Sequence, residues 1–516
     1  MKGTNRGPVQ WFTRGGRKLA LVALMASVLA GCSSNASNNG AADGGKGAAA
    51  GEAGKKPTIT LMNTLWVQEA PKPTDPAMKI IQEATGVNLD INWVPGATYG
   101  EKLNAVLASG DMPQVLLVGI PTDKSPGFIN AVRSGMFWEV GPYLKDYPNL
   151  SKLNEDVLKN SSIDGKQYGL YRARAQALTS GIIIRKDWMD KLALKAPANI
   201  DEFYELIKKF STSDPDGNGQ ADTFGIAEHS QLDMFKLVLA LYGGPNVWEE
   251  KDGKFTPDFM TPAYKQAMNF VKRLYDEKLM NQDFAALQIN QKKELLFTGK
   301  TAMYVGGVSD AAIPSQPGIT QEQVTLITGL SSAEGRRLFS EPGYDGLYVF
   351  PKTSVKTEEE LKQILSYFDK LNGPEVTHLL SWGIEGEHYA LENGVPKTTD
   401  GQRFENEINP LRQLRAGWDI IFREGAEGLA PIRQVVNQSY LDNAPYLVQN
   451  PAYSLISDTF VTKGNELAKI TSDAQVKYIM GAFSEADFDN AVKQWREQGG
   501  DQIIQEYEAA FAAVSK

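Results

Sequence analysis

The densest run of oxygen chemistry in the chain is Asp214-Pro215-Asp216-Gly217-Asn218-Gly219-Gln220-Ala221-Asp222. Side-chain oxygens stand at the first, third, fifth and ninth places of a tight loop. Gly219 sits where an EF-hand-type loop needs its sharp turn, and Gln220 can offer its backbone carbonyl. Hard oxygens at this spacing suit Ca²⁺, whereas a transition metal would recruit His or Cys. Gly225 stands where the usual bidentate glutamate would be, so Thr223, Glu228 or water must complete a shell. The same residues also make a solvated Asp/Gly turn that holds no metal.

A second chemistry lies in the aromatic residues. Indole rings stack on the C–H faces of sugars, while carboxylates, amides and Arg meet the hydroxyls. Trp66 ends the first strand pattern, a place where open α/β folds put ligand contacts. Trp248, with Tyr242 and Asn246, follows the turn Gly243-Gly244-Pro245. Trp382 shares a Gly-rich segment with Glu385 and Tyr389, and Tyr344-Asp345 precedes another strand. These nine are the binding candidates, each weighed against plain core packing. Trp93, Trp188 and Trp495 fall within regular elements and read as core. Arg172 and Arg174 suit a uronate, a sulfate or a surface salt bridge. Enzymatic motifs are thin: three histidines, His229, His378 and His388, no H-E-x-x-H, no G-x-S-x-G and no G-x-x-x-x-G-K-[ST]. Paired carboxylates are too common in an acidic chain to argue for glycoside hydrolysis.

Cys32 is the only cysteine, so disulfides and thiolate metal sites are excluded. It closes Leu29-Ala30-Gly31-Cys32 behind a leader with Lys2, Arg6, Arg14, Arg17 and Lys18 and a short apolar run, Leu19–Leu29. That run is too short to span a bilayer as a mature helix. The pattern is a secretory signal over residues 1–31 that resembles a lipobox, which implies lipid on Cys32. Five of the 53 Lys and Arg lie before Cys32, leaving 48 against 62 acidic residues, a net charge of −14. That balance argues against nucleic acid and against general adhesion to anionic lipid. Residues 33–56 carry no aromatic or branched apolar side chain and read as a flexible tether.

The elements that must position these residues follow. Thr58–Trp66 reads as a strand, Asp75-Pro76 opens a helix that Gly86 stops, Val87–Trp93 is a second strand, and a helix near Glu101–Ser109 leads to the strand Val115–Val118. This alternation predicts a parallel sheet with packed helices. Ser180–Arg185, Ala302–Val305 and Gly346–Phe350 are further strands. Asn199 with Glu202, Thr261-Pro262 and Thr357 with Glu360 open helices. The last quarter reads as mostly helical, including Ser484–Gln498 and Gln502–Val514.

Several stretches then look familiar together. They are the lipobox and its tether, Tyr99-Gly-Glu-Lys-Leu-Asn with Leu107-Ala-Ser-Gly-Asp-Met-Pro113, Arg185-Lys-Asp-Trp188, the Asp214–Gly225 loop, Trp382–Tyr389 and Tyr478-Ile-Met-Gly481. From Cys32 to the C-terminus the chain resembles the family 1 extracellular solute-binding proteins of ABC importers, in the large lipoprotein branch of LipO-like and alginate-oligosaccharide-binding proteins. The resemblance implies a type II-like two-lobed α/β clamshell with a mostly helical C-terminal region. The expected lobes are 57–172 with 304–348, and 173–303 with 349–516, with crossings near Tyr171–Ser180, Thr301–Gly307 and Tyr344–Phe350. It further implies a structural Ca²⁺ in the Asp214 loop, no catalytic cofactor and no enzymatic activity. The expected protein is a monomer anchored outside the cytoplasm that delivers an oligosaccharide to a permease. A peptide or lipid-related solute, or a surface-anchored carbohydrate-active enzyme, are the alternatives.

Overall fold

The computed structural model describes residues 56–178, 181–312, 318–417 and 428–514. Cys32, the leader and the tether up to Lys55 lie outside them. All elements below belong to the unit Lys56–Lys516.

Strand β1 (Thr58–Leu65) pairs in parallel with β2 (Asn88–Pro95), Thr58 opposite Asn88 and Leu65 opposite Pro95. The helix between them, Pro76–Thr85, starts on a proline and ends at Gly86, whose φ of 75° lets its N–H reach Gln82 O. After the helix Gly96–Ser109 comes β3 (Val115–Gly119), with its first four residues buried. Each such side chain contributes about 1.5–3 kcal/mol. The remaining strands are β4 (Gly169–Ala173), β5 (Gly181–Arg185), the hairpin β6 (Trp248–Lys251) and β7 (Lys254–Pro257), β8 (Met303–Gly306), β9 (Val324–Ile327), β10 (Leu338–Phe339), β11 (Tyr344–Val349), the hairpin β12 (Tyr389–Glu392) and β13 (Val395–Thr398), and β14 (Leu447–Val448).

Two sheets organise the molecule. The first has the order β2-β1-β3-β11-β4, with β11 antiparallel to both its neighbours. The second has the order β8-β5-β9 and is antiparallel throughout. Each has its own apolar core. One gathers Ile59, Leu61, Val115–Val118, Tyr348 and Phe368; the other gathers Ile182, Ile184, Phe203, Val238, Val271 and Met303. This is a two-lobed α/β architecture.

The division of the chain differs in detail from the sequence expectation. The chain leaves the first sheet after β4 and enters the second at β5. Thr301–Gly307 is not a passage, because β8 pairs with β5 along its length. The return lies in residues 328–343, just ahead of β11. Residues 350–416 pack with the first core: helix Glu358–Leu371 turns Leu361, Ile364, Leu365 and Phe368 inward, and Phe368 meets Tyr348 at 5.1 Å between centroids. Helix Pro431–Asn443 packs with the second sheet, and the helices from Asp458 on join its core and a satellite core around Trp248 and Trp495.

Candidate functional site

A cavity of about 720 Å³ opens where the chain passes between the two sheets. Arg174 and Leu178 come from the first passage, Ser340 and Glu341 from the return, Gly306 from the end of β8, and Gly307 and Asp310 from the turn after it. The head of the helix Asp233–Leu241 adds Ser230, Asp233 and Lys236, and Asn246, Asp258, Tyr453 and Gln475 lie on the wall. Lys293 pairs with Asp310 at 2.8 Å. Arg174 is exposed, and among the described residues its guanidinium has no partner. The lining thus offers both charges, amides and hydroxyls in a volume suited to a small ligand.

Asp233 is the most elaborately held of these groups. Burial acts to raise its carboxyl, but His229, Lys292 and Lys236 outweigh that and hold it well below the ordinary carboxylate range. Burial pushes the neighbouring Glu228 carboxyl up.

A second groove, of about 1120 Å³, surrounds Trp66. Trp66 is 68% exposed, and its ring packs against Gly96, where a Cβ would come within 2.3 Å of it. Gln68, Glu69, Gln402, Arg403 and Glu407 edge the groove. An exposed indole beside polar groups has the chemistry of a stacking face.

The other sequence candidates are dispersed. Trp382 is 1% exposed, packed on Tyr389 and Leu429. Trp248 is buried against Trp495, Phe255 and Tyr507. Both indoles serve cores and offer no face to a solute. Tyr344 is buried with its hydroxyl donating to Asp123 at 2.8 Å, and Tyr389 meets His378 Nε2 at 2.9 Å. Asp345 is engaged by Arg172. Asn246 lines the first cavity, but its amide donates to Ser340 O and Val448 O. Tyr242 is half-buried against the second core, and Glu385 is exposed in the turn before β12. Trp188 and Trp495 are core, as expected, and Trp93 is half-buried beside the first core.

In the Asp214 loop the carboxylate of Asp214 accepts the N–H groups of Gly217, Asn218 and Gly219. Asn218 Nδ2 donates to Asp216 at 2.9 Å and to Asp222 at 3.1 Å, so these side chains converge on one exposed turn. Gln220 contributes its N–H to Asn218 Oδ1 at 2.8 Å. Among the described residues no three His, Cys, Asp or Glu side chains form a ready cage. The donor set is nonetheless all oxygen, the chemistry Ca²⁺ takes. Glu228 is not available to it, being buried at the head of the helix Asp233–Leu241. Thr223, beside the loop, is buried with an unpartnered Oγ1.

The sequence reading missed Asp233, Lys236, Asp258, Asp310 and Gln475. One signal was present: Glu228, His229 and Asp233 stand immediately ahead of Met234-Phe235-Lys236-Leu237-Val238-Leu239-Ala240-Leu241, an almost wholly apolar helix. Charge at the head of a buried helix needs a reason.

Residues 70–376, more than half of the chain, match the family described as bacterial extracellular solute-binding protein. The chain belongs to that family. Among its relatives is the polygalacturonan/rhamnogalacturonan-binding protein YtcQ of Bacillus subtilis, 41% identical over 504 residues and covering 96% of this chain and 97% of the relative. The lipoprotein LipO of the same organism is 34% identical over 504 residues, covering 95% and 97%. The solute-binding protein shares its fold with an HMO-binding, ABC-transporter-associated protein from Bifidobacterium longum infantis (TM-score 0.68, 19% identity, 90% and 100% of the two chains). It also shares it with an EF-hand mutant of FusA from Streptococcus pneumoniae in complex with fructo-nystose (TM-score 0.63, 17% identity, 89% and 99%).

Proposed function

We propose that this chain is the carbohydrate-capturing receptor of an ABC importer, held outside the cytoplasm by lipid on Cys32, with a uronate-bearing oligosaccharide as its solute. The observation that carries the reading is the polar cavity at the passages between the two sheets, in a chain similar end to end to a polygalacturonan/rhamnogalacturonan-binding protein. A solute bound there touches both passages, Arg174 of the outgoing one and Ser340 and Glu341 of the return, and so stabilises the closed arrangement that a permease recognises; capture and signalling use the same contacts. Arg174 suits a uronate carboxylate, because among the described residues its guanidinium is uncommitted, whereas that of Arg172 is engaged by Asp345. Trp66 supplies a stacking face for further sugars along the second groove. The receptor works as a monomer and leaves the glycan uncut.

In this reading the Asp214 loop carries a structural Ca²⁺, held by Asp214, Asp216, Asn218 and Asp222 with the Gln220 carbonyl; the ion pins a turn and takes no part in capture. The EF-hand of FusA, a protein of the same fold, supports it.

A thermal-shift and tryptophan-fluorescence screen against neutral and uronate-containing oligosaccharides tests the proposal, since a bound solute raises the melting temperature by mass action. Stabilisation by a uronate series whose chain length survives incubation is the expected result. Shortened glycan would make the protein an enzyme. A response to peptides alone would overturn the sugar assignment.

A further inference from the structure

The cavity wall at the head of the helix Asp233–Leu241 is built from groups that are costly to bury. Lys292 is 0% exposed; its Nζ donates to Asp233 Oδ2 at 2.7 Å and to Val305 O at 2.7 Å. His229, also buried, places Nε2 2.8 Å from the same carboxylate oxygen. Beneath them Glu228 accepts the N–H groups of His229, Asp233 and Met234 at 2.9, 3.2 and 2.7 Å. Glu228 thereby caps a helix whose own N-cap residue, Leu232, has no capping side chain and sits at φ 55°. An ammonium and two carboxylates lose their hydration here, whereas apolar residues of the same volume would pack without that penalty. Stability alone does not call for this arrangement.

What the arrangement does accomplish is to fix one carboxylate at the cavity wall. Asp233 Oδ2 is saturated by Lys292 and His229. Oδ1 has only a long contact from Lys236 Nζ, 3.4 Å, among the described residues. The same cavity is lined by Gln475 of the helix Asp458–Ile479, which is 6% exposed and whose Nε2 has no partner. A buried amide donor left unpaired in a ligand cavity calls for a partner that arrives with the ligand. An acceptor and a donor lining one cavity match the hydroxyls of a sugar, each of which donates one hydrogen bond and accepts others.

We propose that Asp233 and Gln475 form a hydroxyl-recognition subsite, in which Asp233 Oδ1 accepts from and Gln475 Nε2 donates to hydroxyls of a sugar ring, with Lys292 and His229 as positioning residues. This rests on the carbohydrate reading above and deepens it. The subsite takes the neutral, hydroxyl-bearing edge of the glycan, because a uronate carboxylate would be repelled by Asp233. Arg174 serves the charged edge.

The test is calorimetric titration of the full chain with neutral and uronate-containing oligosaccharides, from disaccharide to hexasaccharide, and with monodeoxy analogues of the tightest binder. Asp233→Asn alone strands the Lys292 charge and can cost the fold, so the decisive variants are the double Asp233→Asn/Lys292→Met and, separately, Gln475→Leu. The double variant removes the buried charge pair, and we expect it to weaken binding at least about tenfold. It should also lose the wild-type discrimination against the deoxy analogue that lacks the recognised hydroxyl, a readout that a purely structural role would not move. Gln475→Leu should hold or raise the melting temperature, because it deletes an unpaired buried amide, while weakening binding at least about fivefold. Glycan binding at wild-type strength by either variant overturns the subsite and leaves the receptor reading intact. If the double variant does not fold, Gln475→Leu decides by itself. A wild-type chain that binds no glycan overturns the carbohydrate reading, and this inference with it.

Discussion

Arg172 donates through Nε to Asp345 Oδ1 at 2.6 Å, joining β4 and β11 where the chain leaves the first sheet and where it returns to it. Arg172 is buried, and its Nη1 donates to Thr64 Oγ1 at 3.3 Å and Gln413 Oε1 at 2.9 Å. The pair therefore ties the two passages to the end of β1. Removing one partner leaves a buried charge uncompensated. Asp345→Leu, which strands the buried Arg172 guanidinium, is expected to cost about 3–5 kcal/mol, and Arg172→Met/Asp345→Leu to recover much of that loss. Urea denaturation of the two variants checks it; equal losses in both would mean that the charges act independently.

The two tryptophans at 66 and 382 should respond in opposite ways. Trp66→Ala removes an exposed indole and should leave the urea midpoint within about 0.5 kcal/mol of wild type while weakening glycan binding. Trp382→Ala empties the space between Tyr389 and Leu429 and should cost about 3–5 kcal/mol. A parallel denaturation and titration series on both variants separates the outcomes. Unchanged glycan affinity in Trp66→Ala would remove the second groove from the binding surface.

The first sheet was readable because its signals are local. Pro76 and Gly86 bracket one helix, and Val115–Val118 is a continuous apolar run of the sort a strand buried on both faces requires. The aromatic candidates show where local reading ends. Trp66, Trp248 and Trp382 all stand near glycine and polar residues, and which face of each is covered depends on partners far along the chain: Trp495 and Tyr507 for Trp248, Leu429 for Trp382. Asp233 illustrates the same limit. His229 is one helical turn away, but the Lys292 ammonium that fixes the carboxylate comes from 59 residues further on. The passage before β11 was misplaced for a related reason. Glycines at 306 and 307 signal a turn equally well whether the chain then stays in its sheet or leaves it.

Calcium should act on stability and not on capture. The side chains of Asp214, Asp216, Asn218 and Asp222 lie together on an exposed turn, and none of them lines the first cavity. Adding Ca²⁺ to chelator-treated protein should raise the melting temperature, whereas Mg²⁺, which demands a tighter octahedral shell, should do so less. Asp216→Asn/Asp222→Asn should abolish the rise and leave glycan affinity within about twofold, as independent sites do. A Ca²⁺ response that survives in that variant would move the site elsewhere.

Asp258 should give the stability profile its slope near neutrality. It stands half-buried on the wall of the first cavity beside the buried Tyr264, and desolvation pushes its carboxyl up to about 7. Its ordinary value is 3.8. Between these values the folded protein holds a proton that the unfolded chain has released, so stability falls as pH rises through this window and levels off above it. One group contributes at most about 1.4 kcal/mol per pH unit, and partial exposure reduces that further. Asp258→Asn removes this contribution. Its urea midpoint should equal that of wild type at the acid end of the window and exceed it at the alkaline end, with the gap widening in between. A gap of constant size across the whole range would mean that the substitution acts through packing and that Asp258 does not titrate there.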